Sequence, residues 1–312
     1  MYKKVSQGAK LTVCVACADD ANLLEAVEAA KDMANFILVG NTEKIRRAAD
    51  EAQADISRAQ VVNEMDPVSA CNTAVQFVSF GMAQALMKGQ VDTSIIMKAV
   101  LNKESGMRTG KKLSHLAVFE LPTYHKLLFV ADAAINIAPD LDVMIDIINN
   151  SVEAVLALGI TMPKVALLAA KEKSDPKMPA TELAENIAAR NILFNRFRLE
   201  QGTGSIYSQL EVDPDEAEFV GKYHLDGPLA LDNAICKESV KIKGIDSVVG
   251  GDADILVCPD IEAGNILYKA LAFLANAKHG GVVLGAKRPI ILTSRADSAQ
   301  SKLNSIALGI LS

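Results

Sequence analysis

The segment Thr293-Ser294-Arg295-Ala296-Asp297-Ser298 gathers hydroxyls, a guanidinium and a carboxylate on one turn. It follows the apolar run Pro289-Ile290-Ile291-Leu292, which reads as a short buried strand ending where a helix begins. Backbone N–H groups at a helix start favour anions, and arginine adds a rigid donor fork suited to phosphate. The spacing Ser294-x-x-Asp297 also fits a capping box, in which each end satisfies the other's backbone donors. A cap accounts for Ser294 and Asp297 without chemistry. It does not call for Arg295, whose charge opposes the helix dipole at an N-terminus. On residue types alone, phosphate site and helix cap both stand.

Other segments carry weaker signals of the same kind. Lys88-Gly89-Gln90-Val91-Asp92-Thr93-Ser94 places a base, a glycine and two hydroxyls ahead of a helix that includes Lys98. It could cradle a phosphate, or be a turn capped by Asp92 or Thr93. Segment 102–110 carries Lys103 and Arg108, with Lys111 and Lys112 just beyond, and suits either a loop near an anion or a solvated connection. Asp260 and Gly264-Asn265 lead from a strand into a helix with Tyr268 and Lys269 on its first turns. Asn265 there is a ligand contact or an N-cap, and Tyr268 a contact or packing. Asp226 and Asp232 flank a Gly-Pro turn. His115, His125, His224 and His279 have no metal-ligand spacing, and His115 beside Ser114 is the best placed of them. No dinucleotide fingerprint, P-loop or nucleophile elbow occurs.

Composition narrows the class. The chain has 312 residues, 50% of them hydrophobic, and a formal charge of −6, which gives no footprint for nucleic acid. Cys14, Cys17, Cys71, Cys236 and Cys258 sit mostly in apolar runs, as buried thiols of a reducing compartment do. Cys14-x-x-Cys17 lacks the second pair a zinc or redox site would need. The polar first ten residues suggest no signal peptide, and no apolar run approaches a membrane span. These features describe a cytoplasmic α/β protein.

Periodicity predicts strands at 11–16, 36–39, 60–62, 126–130, 164–169, 254–258, 281–284 and 289–292. It predicts helices at 21–35, 42–51, 67–87, 93–101, 141–158, 265–277 and 298–310. Wholly apolar strands alternating with amphipathic helices indicate a parallel sheet covered on both faces. Polar clusters follow three strands at once, at Asp132, Asp260 and Thr293-Ser294-Arg295. Open parallel sheets bind ligands outside the carboxyl ends of their strands. Residues 135–140 mark a boundary, and 195–222 reads as a polar excursion.

Taken together, Lys88–Ser94, 99–104, 113–120, 131–140, 175–181, 226–234, 253–269 and 284–298 resemble the phosphate acetyl/butyryltransferase family, most closely its butyryl branch. The resemblance implies acyl transfer between coenzyme A and phosphate, with acyl-CoA, phosphate and acyl phosphate as partners. It implies no metal and no permanently bound cofactor, and a homo-oligomer. The implied fold is that of isocitrate and isopropylmalate dehydrogenases: two α/β domains around a cleft, 1–134 plus 285–312 and 135–284. Arg295 would hold phosphate and Ser294 would stabilise an oxyanion or thiolate. Ser301 occupies the place of the acetyl branch's basic Asp, which turns attention to Asp297 as general base. Lys98 stands where that branch carries an arginine. Substrate contacts would come from Lys88, Thr93, Ser94, Lys98 and Arg108, and from Ser114, Asp132, Asn136, Asp260, Asn265 and Tyr268. The competing readings are an acetyl-preferring enzyme, a decarboxylating dehydrogenase of like architecture, and a non-catalytic coenzyme A- or phosphate-binding regulator.

Overall fold

The computed structural model describes residues 1–201, 221–294 and 297–312, with the backbone alone for 194–201. Arg295 and most of the polar excursion at 195–222 lie outside the described residues. The chain divides into two compact units, Met1–Leu113 with Lys278–Ser312, and Ser114–Ala277. The boundaries therefore fall at 113/114 and 277/278, not at 134/135 and 284/285. The reason is pairing: a strand at Ser114–Glu120 lies antiparallel against Leu128–Ala131, so both belong to the second unit.

In the first unit, strands β1 (Leu11–Ala16), β2 (Ala34–Gly40), β3 (Gln60–Asn63) and β4 (Ala85–Lys88) are parallel. In the second unit, β5 (Ser114–Glu120) and β6 (Leu128–Ala131) are followed by β7 (Lys164–Leu168), β8 (His224–Leu229) and β9 (Ile255–Val257). The chain then returns to the first unit with β10 (Lys278–Leu284) and β11 (Ile290–Ile291). The first unit's strand order is β3-β2-β1-β4-β11-β10, with β10 antiparallel to β11. The second unit's order is β5-β6-β9-β7-β8, parallel from β6 onward. Val13 to Ala16 of β1 and all of β4 and β6 are buried, as strands covered on both faces must be.

Helix starts follow a common device. Asp20, Asn41, Asp66, Asp140 and Asp260 each precede a helix and accept an amide of its first turn. The helix predicted at 67–87 ends at Ser79. Gly81, at φ 82°, breaks it, and Ala85–Lys88 forms β4 instead. A short apolar run satisfies helical and strand templates alike, and burial beside Val13–Ala16 decides for strand. Strands β5 and β8 and the Pro179–Gln201 helix were not anticipated. Among the described residues no helix is long and apolar enough to cross a membrane.

One ion cluster in the second unit is sensitive to pH. Asp252 receives Lys164 at 2.7 Å, Lys126 at 3.2 Å and His125 at 2.8 Å, and Lys126 also meets Asp254 at 2.8 Å. Burial opposes ionisation of Asp252, but the hydrogen bonds from Lys164, Lys126 and His125 outweigh it and hold the carboxyl well below its usual range. A depressed carboxylate stabilises the fold fully above its unfolded pKa, near 3.8, and loses that contribution as the pH falls through its folded value. Urea unfolding from pH 7 down to pH 3 should therefore show a falling midpoint, with a smaller fall in Asp252→Asn. An equal fall in both proteins would exclude Asp252 as a source.

Candidate active site

Register aligns the carboxyl ends of the first unit's central strands. Ala16 of β1 lies beside Lys88 of β4, and Met87 beside Ile291 of β11. The chain runs from β1 outward to β2 and β3, then returns to place β4 on the other side of β1. This reversal opens a crevice at the strand ends, where α/β sheets bind ligands. Three sets of residues follow these strand ends: Cys17–Asp20 after β1, Gly89–Ser94 after β4, and Thr293, Ser294, Asp297 and Ser298 after β11.

The loop after β4 is pinned to the end of β1. Gly89 N donates to Ala16 O at 2.8 Å and Gln90 N to Cys17 O at 2.7 Å. A Cβ at Gly89 would drive into Cys17 O, so the close approach requires glycine. Lys88 is buried and its Nζ donates to Gly89 O and Val91 O, at 3.3 and 3.2 Å. It braces the loop from below. The loop delivers Thr93 and Ser94, both exposed, to the first turn of the Thr93–Leu101 helix. Asp92 is the N-cap residue; it makes no side-chain cap, and its carbonyl accepts Ile95 N at 3.0 Å. Lys98 and Arg108 are exposed, and Arg108 forms a bridge with Ala286.

The turn after β11 is not the start of the last helix. That helix is Ala299–Leu311, capped by Ser298, whose hydroxyl accepts Ser301 N. Ser294 and Asp297 form a separate turn ahead of it. Asp297 Oδ2 accepts Ser294 N at 2.8 Å, while Asp297 N donates to Ser294 O at 3.2 Å. The carboxylate half of a capping box is present, but the return bond runs to the Ser294 carbonyl, and the pair closes a turn and not a helix. His279 Nε2 stands 3.9 Å from Asp297 Oδ1, and Ser294 is exposed. Buried Lys302 donates to Asp297 O at 2.7 Å.

In the second unit Ala131, Val257 and Leu167 share one row across β6, β9 and β7. Asp132, immediately after β6, is buried, and its carboxylate is saturated. It accepts Ala134 N at 2.8 Å, Ile135 N at 3.0 Å, Asn136 N at 3.2 Å and Asn136 Nδ2 at 2.6 Å. Asp132 therefore shapes the 133–136 loop and offers no vacant lone pair to a substrate. Asp260, not Asn265, caps the Ile261–Lys269 helix, accepting Ala263 N at 2.8 Å. Asn265 lies within that helix and donates to Ala133 O at 3.1 Å. Gly264 rests against the backbone of Asp132 and Ala133. Asp132, Asn136, Asp260 and Asn265 thus form one framework at the ends of β6 and β9. Ser114 is fully buried and accepts Asn150 Nδ2 at 2.9 Å, a core contact. Tyr268 packs edge-on against His115 and Phe119, with ring centroids 5.9 and 5.4 Å apart. Asp226 turns onto Gly227 N and Asp232 pairs with Lys243 at 3.1 Å, so these two have separate partners.

The second unit has its own order reversal, between β9 and β7. An apolar cavity of about 620 Å³ opens there, lined chiefly by Leu168, Ala170, Met178, Leu231, Cys258 and Ile266. Its one hydroxyl, on Thr181, is committed to Asp175 N and Met178 O. Burial pushes the Cys258 thiol up to about 12, which leaves it protonated and a poor nucleophile near neutral pH. Cys14 is likewise raised to about 12 by burial, and Cys17 pairs with Cys71 and not with Cys14. Among the described residues no group of three His, Cys, Asp or Glu side chains could hold a metal.

Sequence reasoning missed Asp20, His279 and Lys302. His279 shows no metal-ligand spacing, and no periodicity marks a partner across the fold. Gly264→Ala tests the framework at β6 and β9: the methyl group would collide with Asp132 O. The expected result is an unfolding free energy lowered by about 1–3 kcal/mol, and an unchanged one would contradict the close approach.

Comparison with known proteins gives a consistent answer. The family described as Phosphate acetyl/butaryl transferase matches residues 67–193 and 217–310. The phosphate butyryltransferase of Clostridium acetobutylicum is 41% identical over 310 residues, covering 99% of this chain and 95% of that protein. A branched-chain phosphotransacylase from Enterococcus faecalis V583 superposes with a TM-score of 0.78 at 32% identity, covering 96% of this chain and 98% of that one. A 4-hydroxythreonine-4-phosphate dehydrogenase from Klebsiella pneumoniae, 12% identical with a TM-score of 0.53, covers 97% of this chain and 100% of that one; it shares the fold alone. The mixed α/β, dehydrogenase-like fold expected from the sequence is therefore present, and the chain belongs to the phosphate acetyl/butyryltransferase family.

Proposed function

We propose that this protein moves a short acyl group, butyryl by preference, between coenzyme A and inorganic phosphate. The observation that carries the reading is the Ser294–Asp297 turn at the crevice beside β1 and β4, in a chain of this family. Phosphate is assigned to Arg295, with the exposed hydroxyl residues Thr93 and Ser94 and the exposed charges of Lys98 and Arg108 in support. Lys88 keeps a bracing role. Asp132, Asn136, Asp260 and Asn265 shape the loops of the second unit, and Ser114 and Tyr268 pack behind them.

The transfer needs no enzyme-bound acyl group. A free thiol titrates near ~8.5, so forming the thiolate of coenzyme A calls for a base, and Asp297 is assigned to it. The thiolate attacks the carbonyl of the acyl phosphate, and a C–S bond forms. The tetrahedral oxyanion collapses, the C–O bond to phosphate breaks, and phosphate leaves as the anion held by Arg295. Ser294 donates to the developing negative charge. In the reverse direction phosphate attacks the thioester and Asp297 returns the proton to the leaving thiolate. Protonated Cys258 supports direct transfer over a cysteine-bound intermediate.

The preference for butyryl over acetyl is supported by the likeness to phosphate butyryltransferase, 41% identical over 310 residues. In an apolar acyl pocket each added methylene contributes about 0.8 kcal/mol. A cytoplasmic setting, a homo-oligomer and the lack of a permanently bound cofactor accompany the reading.

Purified protein assayed with phosphate and a series of acyl-CoAs should turn over butyryl-CoA at least about tenfold more efficiently than acetyl-CoA. Equal efficiencies would refute the butyryl preference. Arg295→Ala should fold normally and lose roughly 10²-fold or more in rate, and near-normal turnover would refute its phosphate role. Asp297→Asn should slow the reaction and flatten its pH profile. If only its melting temperature fell, the carboxylate would be a turn closure and no base.

A further inference from the structure

Lys302 lies in the first turns of the Ala299–Leu311 helix and is only 3% exposed. A cation near a helix N-terminus opposes the helix dipole, and burying an ammonium costs free energy unless it is paired. Among the described residues two oxygens face its Nζ. Nζ donates to the carbonyl of Asp297 at 2.7 Å. The carboxylate facing it is Asp20, with Oδ1 at 3.7 Å, beyond hydrogen-bond reach. That same oxygen already accepts Leu23 N at 2.7 Å as the cap of the Ala21–Ala29 helix. The two helices pack on each other, and Asp20 and Lys302 sit at the starts of both.

This placement has two consequences. Lys302 ties the turn after β11 to the segment after β1, the two strands that flank β4. It also leaves a positive charge, only partly offset by Asp20, directly behind the carbonyl that ends the Ser294–Asp297 turn. We propose that Lys302 is a positioning residue for phosphate: it fixes the turn through the Asp297 carbonyl and supplies positive potential to the anion bound there. The proposal rests on the acyl-phosphate reading. In it, Asp20 offsets part of the charge of Lys302 in the free protein, and bound phosphate offsets more.

A purely structural lysine and a phosphate-positioning one predict different kinetics. Phosphate-dependent release of coenzyme A from butyryl-CoA is followed while each substrate is varied, with the full chain, Lys302→Met, Lys302→Arg and Asp20→Asn. Lys302→Met keeps the stem and removes the charge. Its KM for phosphate should rise about tenfold or more while its KM for butyryl-CoA stays within about twofold. Lys302→Arg should recover part of the loss. Asp20→Asn keeps an oxygen for the Leu23 cap but removes the opposing charge, so its KM for phosphate should fall. Opposite shifts in the two variants are what a packing role cannot produce. The proposal is overturned if Lys302→Met keeps its phosphate KM within about twofold of the parent, or if both KM values rise together. Should Lys302→Met fail to fold, Asp20→Asn decides: a lowered phosphate KM supports the proposal, and an unchanged or raised one overturns it. A parent protein with no phosphate-dependent release would instead refute the acyl-transfer reading itself, and this inference with it.

Discussion

The burial of parallel strands on both faces governs where this protein can do chemistry. Val13–Ala16, Ala85–Lys88 and Leu128–Ala131 have apolar neighbours above and below, so their side chains are committed to the core. Polar groups reach ligand only where a strand stops. Register then sets which strands stop together: Ala16 with Lys88, and Ala131 with Val257 and Leu167. Each unit also has a point at which strand order reverses, between β1 and β4 and between β9 and β7. The turn carrying Ser294 enters beside the first, and the apolar cavity opens at the second.

Many of the polar residues at these ends serve the backbone before they serve a substrate. Asp132 spends its whole carboxylate on the next four residues, Lys88 spends its ammonium on Gly89 and Val91, and Asp260 caps a helix. That division has a physical reason. Loops that leave a buried sheet expose several amides and carbonyls with no ladder partner, and each costs free energy if left unpaired. Other polar residues at these ends are exposed: Ser294, Thr93, Ser94, Lys98 and Arg108. Rigid neighbours hold the loops that present them.

The same physics decides what was legible in the sequence. Helix Thr93–Leu101 and strand β1 coincide with their predicted spans, because caps and apolar runs agree there. The strand at Ala85–Lys88 was hidden within a predicted helix, since Ala-Leu-Met suits both periods and only its place beside β1 selects one. Strand β5 opens with Ser114-His115 and ends on Glu120, and β8 contains Gly227-Pro228, so neither span is apolar throughout. Ser294-x-x-Asp297 was legible as a reciprocal pair, yet its placement ahead of the helix depends on Ser298 taking the cap. The partnership of Lys302 with Asp20 left no trace in the sequence, because it joins opposite ends of the chain through packed helices.

The account's central claim is that an acyl group passes directly between coenzyme A and inorganic phosphate. Phosphorus NMR of the purified protein with butyryl-CoA and phosphate tests it most directly. The account predicts a new acyl-phosphate resonance that grows in step with free thiol and vanishes when phosphate is omitted. Release of thiol with no new phosphorus signal, or no release at all, would contradict it.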